Sequence, residues 1–284
     1  MLACIVGSAG SSEPSTEDPV SLVKPKLLDL LALEEAGRDV FRASTVFPDP
    51  INLYGGQVAA QALRAAGMTV DPVRVPHSLH CYFLRAGDPL LPVDYYVHRD
   101  RDGRSYSART VSAMQDGREI LIMSTSFHVL ESGPDEQGVR IDDVKRPHEA
   151  EMEHIELRTC DVEYLKPKTF GVGDYQIDHV WTRAAVELGD DPLLHACVVT
   201  YISDMFTGLF TLVPRNDGVL LSSLDHAIWF LRPAKADDWM YMQLHGESLN
   251  NGRGLYSGEM FDSNGAMVAK LMQESLYRPQ ASKG

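Results

Sequence analysis

The sequence predicts an α+β protein in which one unit occurs twice: a buried helix with an antiparallel sheet curved around it. Three observations carry this. Residues 58–67 and 192–210 are apolar on every side, as a fully buried helix must be. Each stretch precedes four runs of alternating polar and apolar residues separated by glycine turns, the pattern of antiparallel strands. The same letters also recur in the same order at nearly the same spacing. Phe83-Leu84-Arg85 returns as Phe230-Leu231-Arg232, Asp102-Gly103-Arg104 as Asn251-Gly252-Arg253, and Gln115-Asp116-Gly117 as Ser263-Asn264-Gly265. Any two meanders share glycine turns; the shared Phe-Leu-Arg and the common spacing make this a repeat.

The elements follow in order. Residues 25–37 place Leu27, Leu28, Leu31 and Leu33 at helical spacing, with Gly37 as a stop. Residues 40–46 alternate like a strand. Tyr54-Gly55-Gly56-Gln57 opens the first buried helix. Strands are expected at 77–84, 93–99, 104–114 and 119–129, the last two joined by the turn at Asp116-Gly117. Residues 131–168 break the pattern with Gly133-Pro134, Pro147, Pro167 and many charges. They read as a linker with a short polar helix over 148–158 and little that could build a core. A strand at 180–185, the helix at 192–210, and strands at 225–231, 240–248, 254–261 and 266–277 complete the second unit. The expected organisation is a disordered lead-in over 1–20, a first unit over 21–130, a linker over 131–168 and a second unit over 169–284.

Composition narrows the function. The formal net charge of −14 argues against nonspecific nucleic-acid binding, which needs clustered cations to displace counterions. Cys4, Cys81, Cys160 and Cys197 are scattered without redox or metal-ligand spacing, so neither a metal nor a cofactor is expected and the thiols suit a reducing compartment. No apolar run approaches the ~20 residues of a membrane span. The first residues lack the basic start and long apolar stretch of a secretory signal, and Ser282-Lys283-Gly284 is not the peroxisomal Ser-Lys-Leu ending. The expected location is the cytoplasm, without stable membrane association.

Several strings resemble the type II acyl-CoA thioesterase family. They are Tyr54-Gly55-Gly56-Gln57-Val58-Ala59-Ala60-Gln61, the run from His77-Ser78-Leu79-His80 through Phe83-Leu84-Arg85 to Asp88, Asp225-His226-Ala227-Ile228-Trp229-Phe230-Leu231-Arg232-Pro233, and Gln273-Glu274-Ser275-Leu276-Tyr277-Arg278. The resemblance runs from about Leu27 to Arg278. It implies a double hotdog fold, an acyl-CoA substrate, and a site made of an Asp on the second helix, a Ser or Thr before the Asp-His strand and a Gln near the C-terminus. The matching positions are Asp204, Ser223 and Gln273, with Ser223 preferred over Ser222 because it precedes Asp225 by two residues.

The residue types suit that chemistry. Asp204 on an apolar helix is a carboxylate whose burial favours a base working near neutrality; alone, it reads equally as a solvent-facing or capping residue. Ser223 can orient a water. No Gly-x-Ser-x-Gly elbow occurs in the chain, so an activated water is favoured over an acyl-serine. Gln273 can donate and accept at once without changing charge, or simply bridge strands. Gly55, Gly56 and Gln57 open a helix whose backbone could approach a ligand closely, or merely make a tight turn. His77, beside His80, is a possible contact and more often structural. Arg85, Arg104, Arg232 and Arg253 are candidates for the CoA phosphates or ordinary salt-bridged arginines. Two other readings of the same scaffold are an enoyl-CoA hydratase, for which Asp225-His226 sits in a strand rather than on a helix, and a noncatalytic acyl-CoA binder. A homo-oligomer, dimer or tetramer, is expected.

Overall fold

The computed structural model describes residues 26–44, 53–141, 144–149, 152–156, 159–165, 179–213 and 218–279. The chain runs α1 (Leu27–Leu31), β1 (Glu34–Gly37), β2 (Val40–Ala43), α2 (Gly55–Gly67), β3 (Arg74–Phe83), β4 (Val93–Asp102), β5 (Tyr106–Gln115) and β6 (Arg118–Val129). It continues through β7 (Met152–Glu156), β8 (Cys160–Leu165), β9 (His179–Ala184), α3 (Pro192–Ser203), a 3-10 turn (Gly208–Thr211), β10 (Val219–Ser223), β11 (Asp225–Phe230), β12 (Met240–Asn250), β13 (Arg253–Phe261) and β14 (Met267–Pro279).

The strands form a single sheet in the order β1-β2-β4-β5-β6-β3-β11-β14-β13-β12-β9-β8-β7, with β10 added against β14. Read outward from the central β3·β11 pair, β6, β5, β4, β2 and β1 on one side match β14, β13, β12, β9 and β8 on the other. The central register, Asp225↔Tyr82, Ala227↔His80 and Trp229↔Ser78, maps onto itself when residues 147 apart (Phe83 and Phe230) are exchanged. A pseudo-twofold axis therefore passes the Ala227·His80 pair. The repeat extends to hydrogen bonds. The Leu84 and Arg85 amides donate to Ile120 O as those of Leu231 and Arg232 donate to Val268 O. Arg85 Nη1 donates to Glu119 O at 2.6 Å, and Arg232 Nη1 to Met267 O at 2.7 Å.

The two long helices are buried between the wings, antiparallel to each other. The start of α2 lies against the end of α3, where a β-carbon on Gly56 would come within 2.7 Å of Tyr201 O. At the other end Arg64 Nη1 meets Asp191 Oδ2 at 2.7 Å. Asp191 also caps α3 by accepting from Leu193 N, with Pro192 in the first helical turn, where its missing N–H costs nothing. One apolar core takes in residues of both halves, Leu63 and Leu121 with Val198 and Leu271 among them.

Four expectations need correction. The helix over 25–37 is confined to α1; Ala32 is extended, and β1 turns back at Arg38-Asp39 to pair with β2, so strand pairing outweighs the leucine spacing. The strand expected over 40–46 is seen as β2, its last two residues lying outside the described ones, as do the 1–20 lead-in and residues 280–284 of the second unit. The 148–158 helix is instead β7, and β8 follows; they pair with each other and β8 with β9, placing Cys160, Val162 and Tyr164 in the core. Much of the segment read as a linker thus belongs to the second wing. Charges hid its period-2 pattern: Asp161 is met by Arg183 Nε at 3.0 Å, and Glu163 by His148 Nδ1 at 2.7 Å and His154 Nδ1 at 3.3 Å. The helix over 192–210 stops at Ser203, and β10 adds a strand that the pattern did not suggest.

Arg109, 1% exposed, ties the end of α2 to β5. It donates from Nε to Thr69 Oγ1 (2.8 Å), from Nη2 to Thr69 O (3.0 Å) and Asp102 Oδ1 (2.8 Å), and from Nη1 to Ala108 O (2.8 Å). Arg109→Ala strands these acceptors and is expected to destabilise the fold by about 3 kcal/mol. Urea unfolding measures this; an unchanged midpoint would show that the guanidinium is not a structural tie.

Candidate active site

Asp204 follows the last turn of α3 as its C-terminal cap (φ −99°, ψ 6°), on a helix whose preceding residues are buried all round. Its carboxylate is buried with it, 6% exposed. Gln273 faces inward from β14 because Leu271, Gln273 and Ser275 share one face of the strand, whereas Met272 points out. Ser223 ends β10 opposite Ser275.

These three side chains meet. Gln273 Nε2 donates to Asp204 Oδ1 at 3.0 Å and to Ser223 Oγ at 2.7 Å, which commits both amide hydrogens. Ser223 Oγ donates to Asp204 Oδ1 at 3.2 Å. Asp204 Oδ1 thus receives two donors, while Asp204 Oδ2 and Gln273 Oε1 are buried without a partner among the described residues. Buried acceptors without donors cost free energy, so they mark where a donor belongs. A water, with two hydrogens, can serve both.

The first turn of α2 closes this site from the other half of the molecule. A β-carbon on Gly55 would lie 2.9 Å from Asp204 Oδ2 and 3.0 Å from Phe83 Cε1, so only glycine lets the helix start come this close. Amides in a first helical turn lack intrahelical acceptors and carry the positive end of the helix dipole. Tyr54, the N-cap, donates from its hydroxyl to Tyr201 O at 2.6 Å and locks the start of α2 to the end of α3. Gln57 is wholly buried in the same turn.

His226 is a neighbour that the sequence reading did not place here. It is fully buried, and its Nε2 lies 2.8 Å from Ser203 Oγ, which donates onward to Thr200 O at 2.9 Å. Burial lowers its pKa, opposed by the nearby Asp204 charge, by Gln273 and by Asp225, so the ring is neutral at neutral pH. The signal lay in the Asp225-His226 string, whose two residues the structure separates. Asp225 Oδ1 accepts from Glu274 N at 2.7 Å, a strand-holding role.

The remaining candidates are elsewhere, and none hydrogen-bonds to Asp204 among the described residues. Arg85 and Arg232 hold strand ends, Arg232 Nε also reaching Asp135 Oδ1 at 2.9 Å. Arg104 O accepts from Arg74 Nη2 at 3.3 Å in the β4–β5 turn. Arg253 pairs with Glu274 at 3.1 Å, next to Gly254, whose partner Ser275 is also the partner of Ser223. His77 Nε2 lies 2.8 Å from Ser126 Oγ in a ring cluster with Tyr106 and His128. His80 lies edge-on to Trp229.

Comparison with known proteins bears on the family and the fold. Residues 47–128 match the acyl-CoA thioesterase N-terminal domain and residues 136–277 the acyl-CoA thioesterase C-terminal domain. A protein of unknown function with a hot dog fold from Alicyclobacillus acidocaldarius superposes with a TM-score of 0.74 over 89% of this chain and 98% of its own; at 18% identity it shows the fold. An acyl-CoA thioesterase II, TesB2, from Mycobacterium marinum is 34% identical, with a TM-score of 0.76 over 91% of this chain and 99% of that one. Human acyl-coenzyme A thioesterase 8 is 31% identical over 94% of both chains. The molecule is a double hotdog protein with its polar site where the two helices meet. The chain belongs to the type II acyl-CoA thioesterase family.

A pH dependence follows from His226. Its pKa is lower in the folded protein than in the unfolded chain, so the folded state takes up its proton less readily. Stability is whole above the unfolded value of about 6.5 and falls as pH drops from there toward the folded value. His226→Leu is expected to flatten stability against pH over that window, measured by thermal melts. An undiminished slope in the variant would assign the acid sensitivity to other groups.

Proposed function

We propose that this chain hydrolyses acyl-CoA thioesters to fatty acid and CoA by attack of a water held by Asp204, Ser223 and Gln273. The observation that carries the reading is the split use of the Asp204 carboxylate. Its Oδ1 is fixed by Ser223 and Gln273, while Oδ2, beside the start of α2, has no partner among the described residues. A water donating one hydrogen to Asp204 Oδ2 and the other to Gln273 Oε1 is oriented with a lone pair free. Asp204 takes its proton as the oxygen attacks the thioester carbonyl, as a general base does. The oxyanion then develops near the first-turn amides of α2, whose dipole stabilises it; its collapse breaks the C–S bond, and Asp204 gives the proton it took to the departing CoA thiolate. Arg253, beside the Ser275·Ser223 strands, is the arginine best placed to meet a CoA phosphate.

An acyl-serine is the second reading, since Ser223 donates to Asp204 at a distance suited to proton transfer. The water reading is preferred because Ser223 lies at a strand end rather than on a sharp elbow and also accepts from Gln273. Hydration of an enoyl-CoA is disfavoured because Asp225 and His226 do not converge on one point.

The reading extends to a homo-oligomer in the cytoplasm. Tyr82, Tyr96, Leu84 and Leu231 are exposed large apolar side chains, a surface suited to a second copy. Cys81, Cys160 and Cys197 are buried free thiols, as a reducing compartment maintains. No helix among the described residues is long and apolar enough to cross a membrane.

Thiol release from a series of acyl-CoA chain lengths tests the mechanism. Asp204→Asn is expected to lower kcat by about a hundredfold or more, and Gln273→Ala by about tenfold to a hundredfold. Ser223→Thr should remain active, and Ser223→Ala should keep a reduced rate. Complete loss in Ser223→Ala together with a pre-steady-state burst in the wild type would replace the water by an acyl-serine. Full activity of Asp204→Asn would remove the proposed site.

A further inference from the structure

The pseudo-twofold axis implies a counterpart of the catalytic site at the opposite end of the helix pair, and a cavity lies there. Its volume is about 630 Å³, within the range of about 300–1,000 Å³ typical of small-molecule sites. Pro192 and Ala196 at the start of α3 line it, as Gly55 at the start of α2 borders Asp204. Phe230 lines it too, as its counterpart Phe83 packs at Gly55.

The reactive groups are missing from this copy. Arg109 reaches Thr69 O as Tyr256 reaches Phe206 O, which aligns Thr69 with Phe206 and, two residues earlier, Gly67 with Asp204. Pro76 stands seven residues before Phe83, as Ser223 stands seven before Phe230; Leu79 stands four before Phe83, as His226 stands four before Phe230. Thr125 pairs with Arg109 as Gln273 pairs with Tyr256. Asp204, Ser223, His226 and Gln273 are thus matched by Gly67, Pro76, Leu79 and Thr125. The base is absent, its space is taken by the Leu193 side chain against Gly67, and Pro76 itself lines the cavity.

We propose that this cavity is a second acyl-CoA site, which binds the thioester without hydrolysing it. The inference rests on the thioesterase reading for the class of ligand and on the internal symmetry for the place. The duplicated scaffold retains a pocket between helix start and sheet, with Ala196, Val199 and Val268 along its wall for an acyl chain, and lacks a counterpart of Asp204; Glu131, Asp135, His77 and His128 line it without the Ser223–Gln273 cradle that holds Asp204. His77 and Arg232, named from the sequence as substrate contacts, both line this cavity, Arg232 with its guanidinium paired to Asp135 of the same lining.

The test uses S-decyl-CoA, a thioether that cannot be hydrolysed, titrated into the full chain by calorimetry. The wild type is expected to bind a second ligand per chain beyond the catalytic one. Ala234→Trp, which fills the cavity from its rim, should remove the second ligand and leave thiol release from dilute decanoyl-CoA unchanged; Val75→Trp serves the same purpose from β3. Binding of a single ligand or none by the wild type overturns the proposal, as does a second ligand that survives in both variants. Failure of the thioesterase reading shows separately, as absence of thiol release from decanoyl-CoA by the wild type.

Discussion

The antiparallel pairing of β3 with β11, from Asp225·Tyr82 to Trp229·Ser78, makes two sheets into one and so fixes where the helices meet. Each half alone would have a sheet edge at β3 or β11 and a helix with one flank uncovered. Joining them removes both edges and buries α2 against α3. Since the join is antiparallel about a twofold, the helices must also run antiparallel, and the end of each lies beside the start of the other. The Gly56–Tyr201 contact at one end and the Arg64–Asp191 ion pair at the other follow from that constraint.

The same constraint makes two equivalent places where a helix end, a helix start and two strand faces converge. The chain equips only one with a buried carboxylate, an amide, a hydroxyl and an imidazole. A buried polar cluster is costly unless its groups satisfy one another, and here Gln273 and Ser223 satisfy half of Asp204. At the other place Gly67, Pro76, Leu79 and Thr125 avoid that cost; Thr125 Oγ1 donates to Ser78 O at 3.0 Å, an ordinary strand contact. The repeat supplies the same geometry at both ends, and the sequence places the buried polar cluster at one of them.

What was legible in the sequence follows from how local each feature is. The all-apolar runs marked α2 and α3 because burial on every side leaves no polar face, and alternation marked most strands. The end of α3 at Ser203 was hidden, since Asp204 is followed by more apolar residues that pack as a 3-10 turn rather than as helix. β7 and β8 were obscured because Asp161 and Glu163 find partners only in the folded sheet. The resemblance named Asp204, Ser223 and Gln273, which the fold brings into contact, yet nothing local announced that His226 lies beside them. The proposed ligand contacts scattered over both ends of the helix pair because residues related by an internal twofold look alike in sequence; Phe83-Leu84-Arg85 and Phe230-Leu231-Arg232 read the same, and only the fold separates Arg85 from Arg232.

The position of Asp204 also explains why both halves are needed. A carboxylate at a helix C-terminus faces the negative end of its own helix dipole, which disfavours its charge. Here the start of α2, with its first-turn amides, stands against the same carboxylate and offsets that penalty with a dipole of opposite sense. Gly55 and Gly56 permit the approach, and Tyr54 secures it by donating to Tyr201 O. Asp204 therefore owes its placement to the second half and its electrostatic support to the first. A single unit contains either the carboxylate without the amides or the amides without the carboxylate, so the site exists only across the β3·β11 join.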